Sequence, residues 1–375
     1  EKQTDYLGAP EPTEEQRRKF CRLVPASVDR KYYKALTRLA LSKEAVKRCG
    51  KDLKLVYTPV HGSGYIPVMT ILKKIGINAT VVKEQTAKDP DFSTVQVPNP
   101  EFKETLSMGI ALAEKIGATV VFGTDPDSDR LLDYILTRLK EEGKLPANAA
   151  VVKSFVTTGM ARAICNKFGV ELFEVPVGFK FIGDKIKQWE KDGSHTFVFG
   201  FEESCGYLRG THARDKDAVV ASMLCAEMVC YYEYRGKTVS ERLEEIYREY
   251  GYVLDKNVSI QYSGLNAMRD MNAVVDGLKT KPVSKFDIYR VAYIRDYSKN
   301  IKTEVATGET SEIGSPATNC VYYELENGSF ICVRPSGTEP KLKIYYSVKA
   351  NTRQDAEDAM EKMQKAMEQL LKSLQ

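Results

Sequence analysis

The stretch GTDPDSDR, residues 123–130, carries three carboxylates at alternate positions and closes on an arginine. Carboxylates this close repel unless a cation sits among them or each turns to water. An all-oxygen donor set is hard, so a cation held by Asp125, Asp127 and Asp129 is expected to be Mg²⁺ rather than zinc. A helix–loop–helix calcium site needs glycine at its sixth position and glutamate at its twelfth. Counted from Asp125, those positions are Arg130 and Leu136, which excludes it. The competing reading is a solvated acidic turn in which Asp129 pairs with Arg130.

Two further stretches carry chemistry. RPSGTEP, residues 334–340, offers the Arg334 fork, the Ser336 and Thr338 hydroxyls and backbone N–H groups around Gly337, a set that suits a phosphate dianion. GFEESCG, residues 200–206, sets Glu202 and Glu203 beside Ser204 in a glycine-flanked turn, and adjacent glutamates there can bind vicinal hydroxyls such as a sugar presents. HARDKDA, residues 212–218, adds Arg214 and Lys216 within reach of that turn. Each has a plain alternative: a surface turn, acidic surface decoration, and a solvated charge run with Asp217 capping the next helix.

Apolar runs and helical periodicities dictate the frame for these loops. DLKLVYTPV (52–60), NATVVKEQ (78–85) and ATVVFG (118–123) read as strands, separated by helices over 65–76 and 100–116. Strand–helix alternation predicts a doubly wound parallel sheet, with Asp125 just past a strand's carboxyl end, where ligands of such sheets collect. The rhythm repeats from LLDYILTRLKEEGKL to TVSERLEEIYREYG without a sequence repeat. From Tyr252 it gives way to strands, among them CVYYELENGSFICVRP with an Asn327-Gly328 hairpin turn. A last helix, 352–374, carries an apolar stripe expected to pack on a sheet. The fold class is therefore two consecutive doubly wound α/β domains followed by a small α+β domain. The expected divisions are a linker or remnant over 1–28, then 29–130, 131–251 and 252–375.

Composition bounds the partners. The 375 residues hold 55 basic and 51 acidic side chains, a mixed surface that implies neither nucleic acid nor a membrane. No apolar run is long enough to span a bilayer. Eight cysteines form no C-x-x-C pair, which fits a reducing cytoplasm, and only three histidines are present.

Taken together, GTDPDSDR, GFEES and RPSGTEPK, in that order and with YTPVHGSG, VVKSFVTT, GFKFIG and RDKDAV between them, resemble the α-D-phosphohexomutases, the family of phosphoglucomutases and phosphomannomutases. The resemblance covers the chain from about Val28 to its end. It implies that Asp125, Asp127 and Asp129 ligate Mg²⁺ with Arg130 beside the transferring phosphoryl group. It also implies that Glu202 and Ser204, assisted by Glu203, bind sugar hydroxyls, and that Arg334, Ser336, Gly337 and Thr338 hold the non-reacting phosphate. Lys216, with Lys153 and Arg214, is expected near the reacting hydroxyl or phosphate. The implied reaction moves a phosphoryl group from an enzyme phosphoserine to a sugar monophosphate and, after the bisphosphate turns, back again. Glucose phosphate is favoured over mannose phosphate by the Glu-Glu-Ser form of the sugar loop.

Three departures accompany the resemblance. The family's phosphoserine lies in an N-terminal domain within a Thr-Ala-Ser-His-Asn-Pro-like motif, and this sequence has none, so the chain is expected to need a missing N-terminal domain of the same polypeptide and to be inactive alone. DSDRL passes almost directly into a helix, where the family has a strand–turn–strand segment. Val177 stands where family members often carry threonine. The alternatives are a non-catalytic sugar-phosphate-binding protein derived from the mutases and a metal-dependent phosphatase. The latter usually needs a D-x-D-x-T/V setting, which SDR after Asp127 does not supply.

Overall fold

The computed structural model describes residues 13–20, 24–96, 103–124, 128–203, 206–281, 283–337 and 339–374, with residues 20 and 128–130 in backbone only. Helices α1 (Glu14–Phe20), α2 (Ala26–Arg38) and α3 (Lys43–Cys49) precede the first strand. β1 (Leu55–Thr58) is buried at all four residues, as an apolar run covered on both faces must be. It is the middle of a parallel sheet of order β2-β1-β3, flanked by β2 (Ala79–Val81) and β3 (Val120–Gly123). The crossovers are α4 (Tyr65–Ile75) and α5 (Ser107–Ile116), the latter starting later than the expected 100–116. Among the described residues this sheet has three strands, and β3 is half-exposed at every residue. A direct run from the acidic loop into a helix leaves nothing in sequence between them to pair with β3.

That helix, α6 (Ser128–Glu141), starts inside the acidic stretch and crosses the expected division at 130/131. Its residues from Leu131 to Leu136 are all buried, Asp133 among them. Asp133 tolerates burial because Arg242 Nε and Nη2 donate to it at 2.9–3.0 Å. The second sheet comprises β4 (Ala149–Ser154), β5 (Glu171–Val175), β6 (Thr196–Glu202) and β7 (Gly206–Leu208), in the order β5-β4-β6-β7. Helices α7 (Met160–Phe168) and α8 (Phe179–Asp192) supply its crossovers. The antiparallel β7 breaks the parallel rhythm expected from sequence: its residues Gly206, Tyr207 and Leu208 pair with Glu202, Phe201 and Gly200 of β6.

α9 (Ala218–Tyr234) is buried at every residue from Val219 to Tyr232. A helix apolar all round has to be enclosed. The two α/β units enclose it together, and one apolar cluster runs from Leu36 and Tyr57 through Tyr134 and Phe201 to Met223 and Ile246. α10 (Val239–Tyr250), opened by a Thr238–Glu241 capping box, completes this body.

The C-terminal unit is antiparallel. β8 (Tyr252–Gln261) runs beside the last strand, β15 (Lys341–Ala350), over ten residue pairs. Between them lie α11 (Ala267–Thr280), β9 (Lys285–Phe286), β10 (Tyr289–Asp296), β11 (Ile301–Glu304), β12 (Thr310–Glu312), β13 (Val321–Leu325) and β14 (Phe330–Pro335). The Asn327-Gly328 turn joins β13 to β14 as expected, with Gly328 at φ +82°. α12 (Arg353–Lys372) lays Ala356, Ala359, Met360, Met363, Met367 and Leu371 inward, so its stripe is core, shared with α11 and one face of the sheet. Alternate residues of the same strands, Tyr322, Cys332 and Tyr345, face the other way and meet Phe155 and Val156 of the middle unit.

Candidate functional site

Glu202 is the last residue of β6 and pairs with Gly206 across the hairpin. Its side chain is 4% exposed, and the Gly178 N–H donates to its Oε1 at 2.6 Å. Gly178 sits at φ +126°, a conformation that side-chain-bearing residues rarely adopt, immediately before α8. Burial pushes the Glu202 carboxyl above the usual carboxylate range; the Gly178 N–H and the Lys216 ammonium oppose that, and the Glu203 and Asp215 charges reinforce it. The Lys216 stem crosses Gly206 so closely that a Cβ there would fall 2.4 Å from Lys216 Cδ. Its Nζ lies 5.5 Å over the Phe179 ring and donates to Asp215 Oδ1 at 3.1 Å. Glu202 and Lys216 are thus electrostatic neighbours.

Glu203 turns to the neighbouring strand. The Ser154 hydroxyl, at the end of β4, donates to Glu203 Oε2 at 2.7 Å and lies 2.6 Å from Thr157 Oγ1. Across the interface Arg334, on β14, is half-buried; its Nη2 donates to Tyr345 Oη at 3.4 Å and its Nε has no partner among the described residues. Burial works against the guanidinium's charge, but the Tyr345 phenol and the Glu203 carboxylate outweigh it and raise its pKa. Glu203 and Arg334, from different units, are therefore electrostatic neighbours. The hairpin loop after Arg334 is closed by the Ser336 N–H donating to Lys341 O at 2.8 Å, and Gly337 is exposed, with nothing within 4 Å of where its Cβ would be.

An aromatic contact underlies this pairing. Phe155 stacks on Tyr297 at 4.3 Å and meets Tyr322 edge-on at 6.2 Å, while the Gly159 N–H donates to Ser347 Oγ at 3.1 Å. Val177 joins the same cluster, which accounts for an apolar residue at that place.

Two expected residues are not brought to this group. Lys153 is 1% exposed; its ammonium donates to Thr157 O at 2.7 Å and pairs with Glu174 at 3.1 Å, beside Arg162. A strand residue with its charge committed inside the fold braces the site rather than presenting a free cation to it. Arg214 donates to the Thr211 and Ala213 carbonyls and pairs with Glu190, so it ties down its own loop. Asp125, Asp127, Ser204 and Thr338 lie outside the described residues, as do the side chains of Asp129 and Arg130. Thr124, just before them, lies beside the start of α4, 3.4 Å from where a Gly64 Cβ would stand. Among the described residues no group of three or more metal-ligating side chains occurs.

Sequence reasoning missed Gly178, Ser154 and Tyr345, and read Asp217 only as the cap of the helix that follows it. Asp217 caps α9 through the Val219 and Val220 N–H groups, accepts from Tyr32 Oη at 2.9 Å and lies 2.7 Å from His212 Nε2. Gly178 alone left a signal, a glycine between a strand and a helix; the rest depend on contacts remote in sequence.

Three family models match in succession: Phosphoglucomutase/phosphomannomutase alpha/beta/alpha domain II over residues 30–134, domain III over 127–250 and the C-terminal domain over 302–366. Phosphoglucomutases of Staphylococcus saprophyticus and Staphylococcus haemolyticus are 31% and 33% identical over 318 and 322 residues, covering 79% of this chain and 57% of theirs. The chain thus spans a little over half the length of these curated relatives. Among solved structures, the open form of the Paramecium phosphoglucomutase pp63/parafusin superposes with a TM-score of 0.63 at 18% identity, over 92% of this chain and 62% of that one. A putative phosphomannomutase of Thermus thermophilus gives 0.58 at 17% identity, over 90% and 65%. At such identities the likeness establishes the fold. With the order of its domains, the relatives' identity and the fold in agreement, the chain belongs to the α-D-phosphohexomutase family of phosphoglucomutases and phosphomannomutases.

Proposed function

We propose that the chain supplies the metal, sugar and phosphate modules of a phosphoglucomutase-type phosphotransferase that interconverts hexose 1-phosphate and 6-phosphate through a bisphosphate. The observation that carries this reading is the meeting of the Glu202–Glu203 hairpin with Arg334 across the aromatic interface. Glu202 and Glu203, with Ser204, accept hydrogen bonds from sugar hydroxyls. Arg334, with its unpartnered Nε, and the loop Ser336–Gly337–Thr338 grip the phosphate that is not reacting. Lys216 lies beside Glu202 and neutralises charge at the reacting end. The donor set of Asp125, Asp127 and Asp129 is all carboxylate and fits Mg²⁺, which neutralises charge on the transferring phosphoryl group when bound. Arg130 shares that task. Lys153 and Arg214 act one step back, by bracing β4 and the loop before α9.

One phosphate must be held while the other reacts, so two separate phosphate-handling places are needed. A phosphoserine carrier is the further requirement, and we propose that it belongs to an N-terminal domain of the same polypeptide. A non-catalytic sugar-phosphate binder is the alternative, and the intact mass of the protein from its natural source separates the two. For the 375-residue chain itself, calorimetry with Mg²⁺ should show glucose 1-phosphate and 6-phosphate binding, while a coupled assay shows no turnover. Arg334→Ala should weaken binding at least about tenfold, the worth of one charged hydrogen bond. Unchanged affinity in that variant would sink the reading.

A further inference from the structure

A cavity of about 760 Å³ opens where α2, α3 and α4 meet. Arg30, Lys34 and Arg38 line it at intervals of four along α2, joined by Lys43 at the start of α3 and Lys74 near the end of α4. Like charges at that spacing on one helix repel and weaken it. Elsewhere the protein relieves such pairs with acids, as Glu44 does for Arg48 at 3.0 Å. Here none of the five cations has an ion-pair partner within 4 Å among the described residues, and all five are exposed. The one carboxylate at the cavity, Glu227, is already committed: it is 1% exposed and accepts the Leu41 and Ser42 N–H groups at 2.5–2.9 Å. Between the charges lies an apolar wall of Tyr33, Val46 and Ile75, with Lys74 Nζ 5.8 Å over the Tyr33 ring. Convergent polar groups around an apolar wall, at this volume, describe a small-molecule pocket.

We propose that this cavity binds a small anion carrying two or more linked phosphate groups. The phosphates lie along Arg30, Lys34 and Arg38 and against Lys43, where guanidinium forks match phosphate oxygens in pairs. An attached ring system, where the ligand has one, rests on Tyr33 and Ile75. The cavity shares no residue with the Glu202–Arg334 group, so its occupancy is independent of the reading given above.

Equilibrium dialysis with ATP, inorganic pyrophosphate and inorganic phosphate tests this on the full chain. Saturable binding of ATP or pyrophosphate at least about tenfold tighter than phosphate is expected, falling as salt rises. The double variant Arg38→Gln/Lys43→Gln should lose at least about tenfold in that affinity, a change of ~1.4 kcal/mol, with an unaltered melting curve, while Arg334→Ala should leave it intact. ATP binding tighter than pyrophosphate assigns the ligand to organic polyphosphates, and equal affinity assigns it to inorganic ones. No saturable binding up to about 1 mM, loss in Arg334→Ala, or indifference to the double variant overturns the proposal.

Discussion

Glu202 is held in an environment that disfavours its own charge. It is almost wholly buried, next to Glu203, with one backbone N–H as its direct partner among the described residues. A carboxyl whose folded pKa lies above its unfolded value gains stability below the unfolded value and loses it as pH rises through the folded one. Ionising this carboxyl therefore costs the fold stability. Glu202→Gln keeps an acceptor for Gly178 while removing the charge, so its melting temperature should match or exceed that of the wild type at pH 7. Its affinity for hexose phosphate should fall about tenfold, because charged acceptors bind hydroxyls more strongly than amides do. Opposite movements in the two readouts mark a residue kept for binding at the expense of stability; a fall in both would place it among ordinary structural groups. Asp217 shows the reverse electrostatics. Burial alone would raise its carboxyl, but the His212 contact, the Val220 N–H and the Tyr32 hydroxyl outweigh burial and lower it. Its contribution is full above the unfolded value, about 3.9, and drains away as pH falls through the folded value. The stability gap between wild type and Asp217→Asn should therefore narrow below about pH 4 in urea titrations.

Elements whose sequence carries its own period were legible; elements defined by a distant partner were not. β1, β4 and β6 are apolar runs, and α8, α10 and α12 carry helical periodicity, so each announced itself locally. β7 is three residues long and exists because Gly200, Phe201 and Glu202 give it something to pair with. β8 alternates without a strong apolar face, and ten pairs with β15, eighty residues away and more, make it a strand. The same division runs through the site: Arg334 and the adjacent glutamates stood out by type, whereas Ser154 and Tyr345 acquire a role only through tertiary contact. α9 was legible as a helix but not as the centre of the body, since total burial follows from the two α/β units closing on it. Its N-cap is correspondingly exposed to test. Asp217→Ala removes a side chain that satisfies two orphan N–H groups and joins α2 to α9 through Tyr32. The cap alone is worth about 1 kcal/mol, and the broken half-buried hydrogen bond to Tyr32 adds to it, so a loss of about 2 kcal/mol in urea unfolding is expected. A loss below about 0.5 kcal/mol would mean that α2 does not depend on this tie.

At the scale of the molecule, two bodies meet: the α/β body built around α9, and the antiparallel C-terminal sheet with its two helices on one face; α10 touches β8 and α12 through Tyr247–Tyr252 and Glu244–Arg353, and an aromatic seam joins them beside the site. The seam is aromatic, with Phe155 and Val156 reaching into Tyr297, Tyr322, Phe330 and Tyr345. It lies under the proposed site, because Ser154, which holds Glu203, immediately precedes Phe155, and Tyr345, which holds Arg334, belongs to the same cluster. The proposed sugar and phosphate grips are thus registered by packing across this seam. Phe155→Ala should then weaken hexose-phosphate binding although Phe155 touches neither grip. Truncating a buried Phe costs about 3–5 kcal/mol, and here the cost falls on docking, since each body retains its own core. The C-terminal unit should become separable by limited proteolysis near Gly251, where α10 gives way to β8, while helical content by circular dichroism is retained. Phe155→Leu, which preserves most of the apolar volume, should recover much of the affinity. Full affinity in Phe155→Ala, or cooperative loss of both bodies together, would show that the two grips are held in register by something other than this seam.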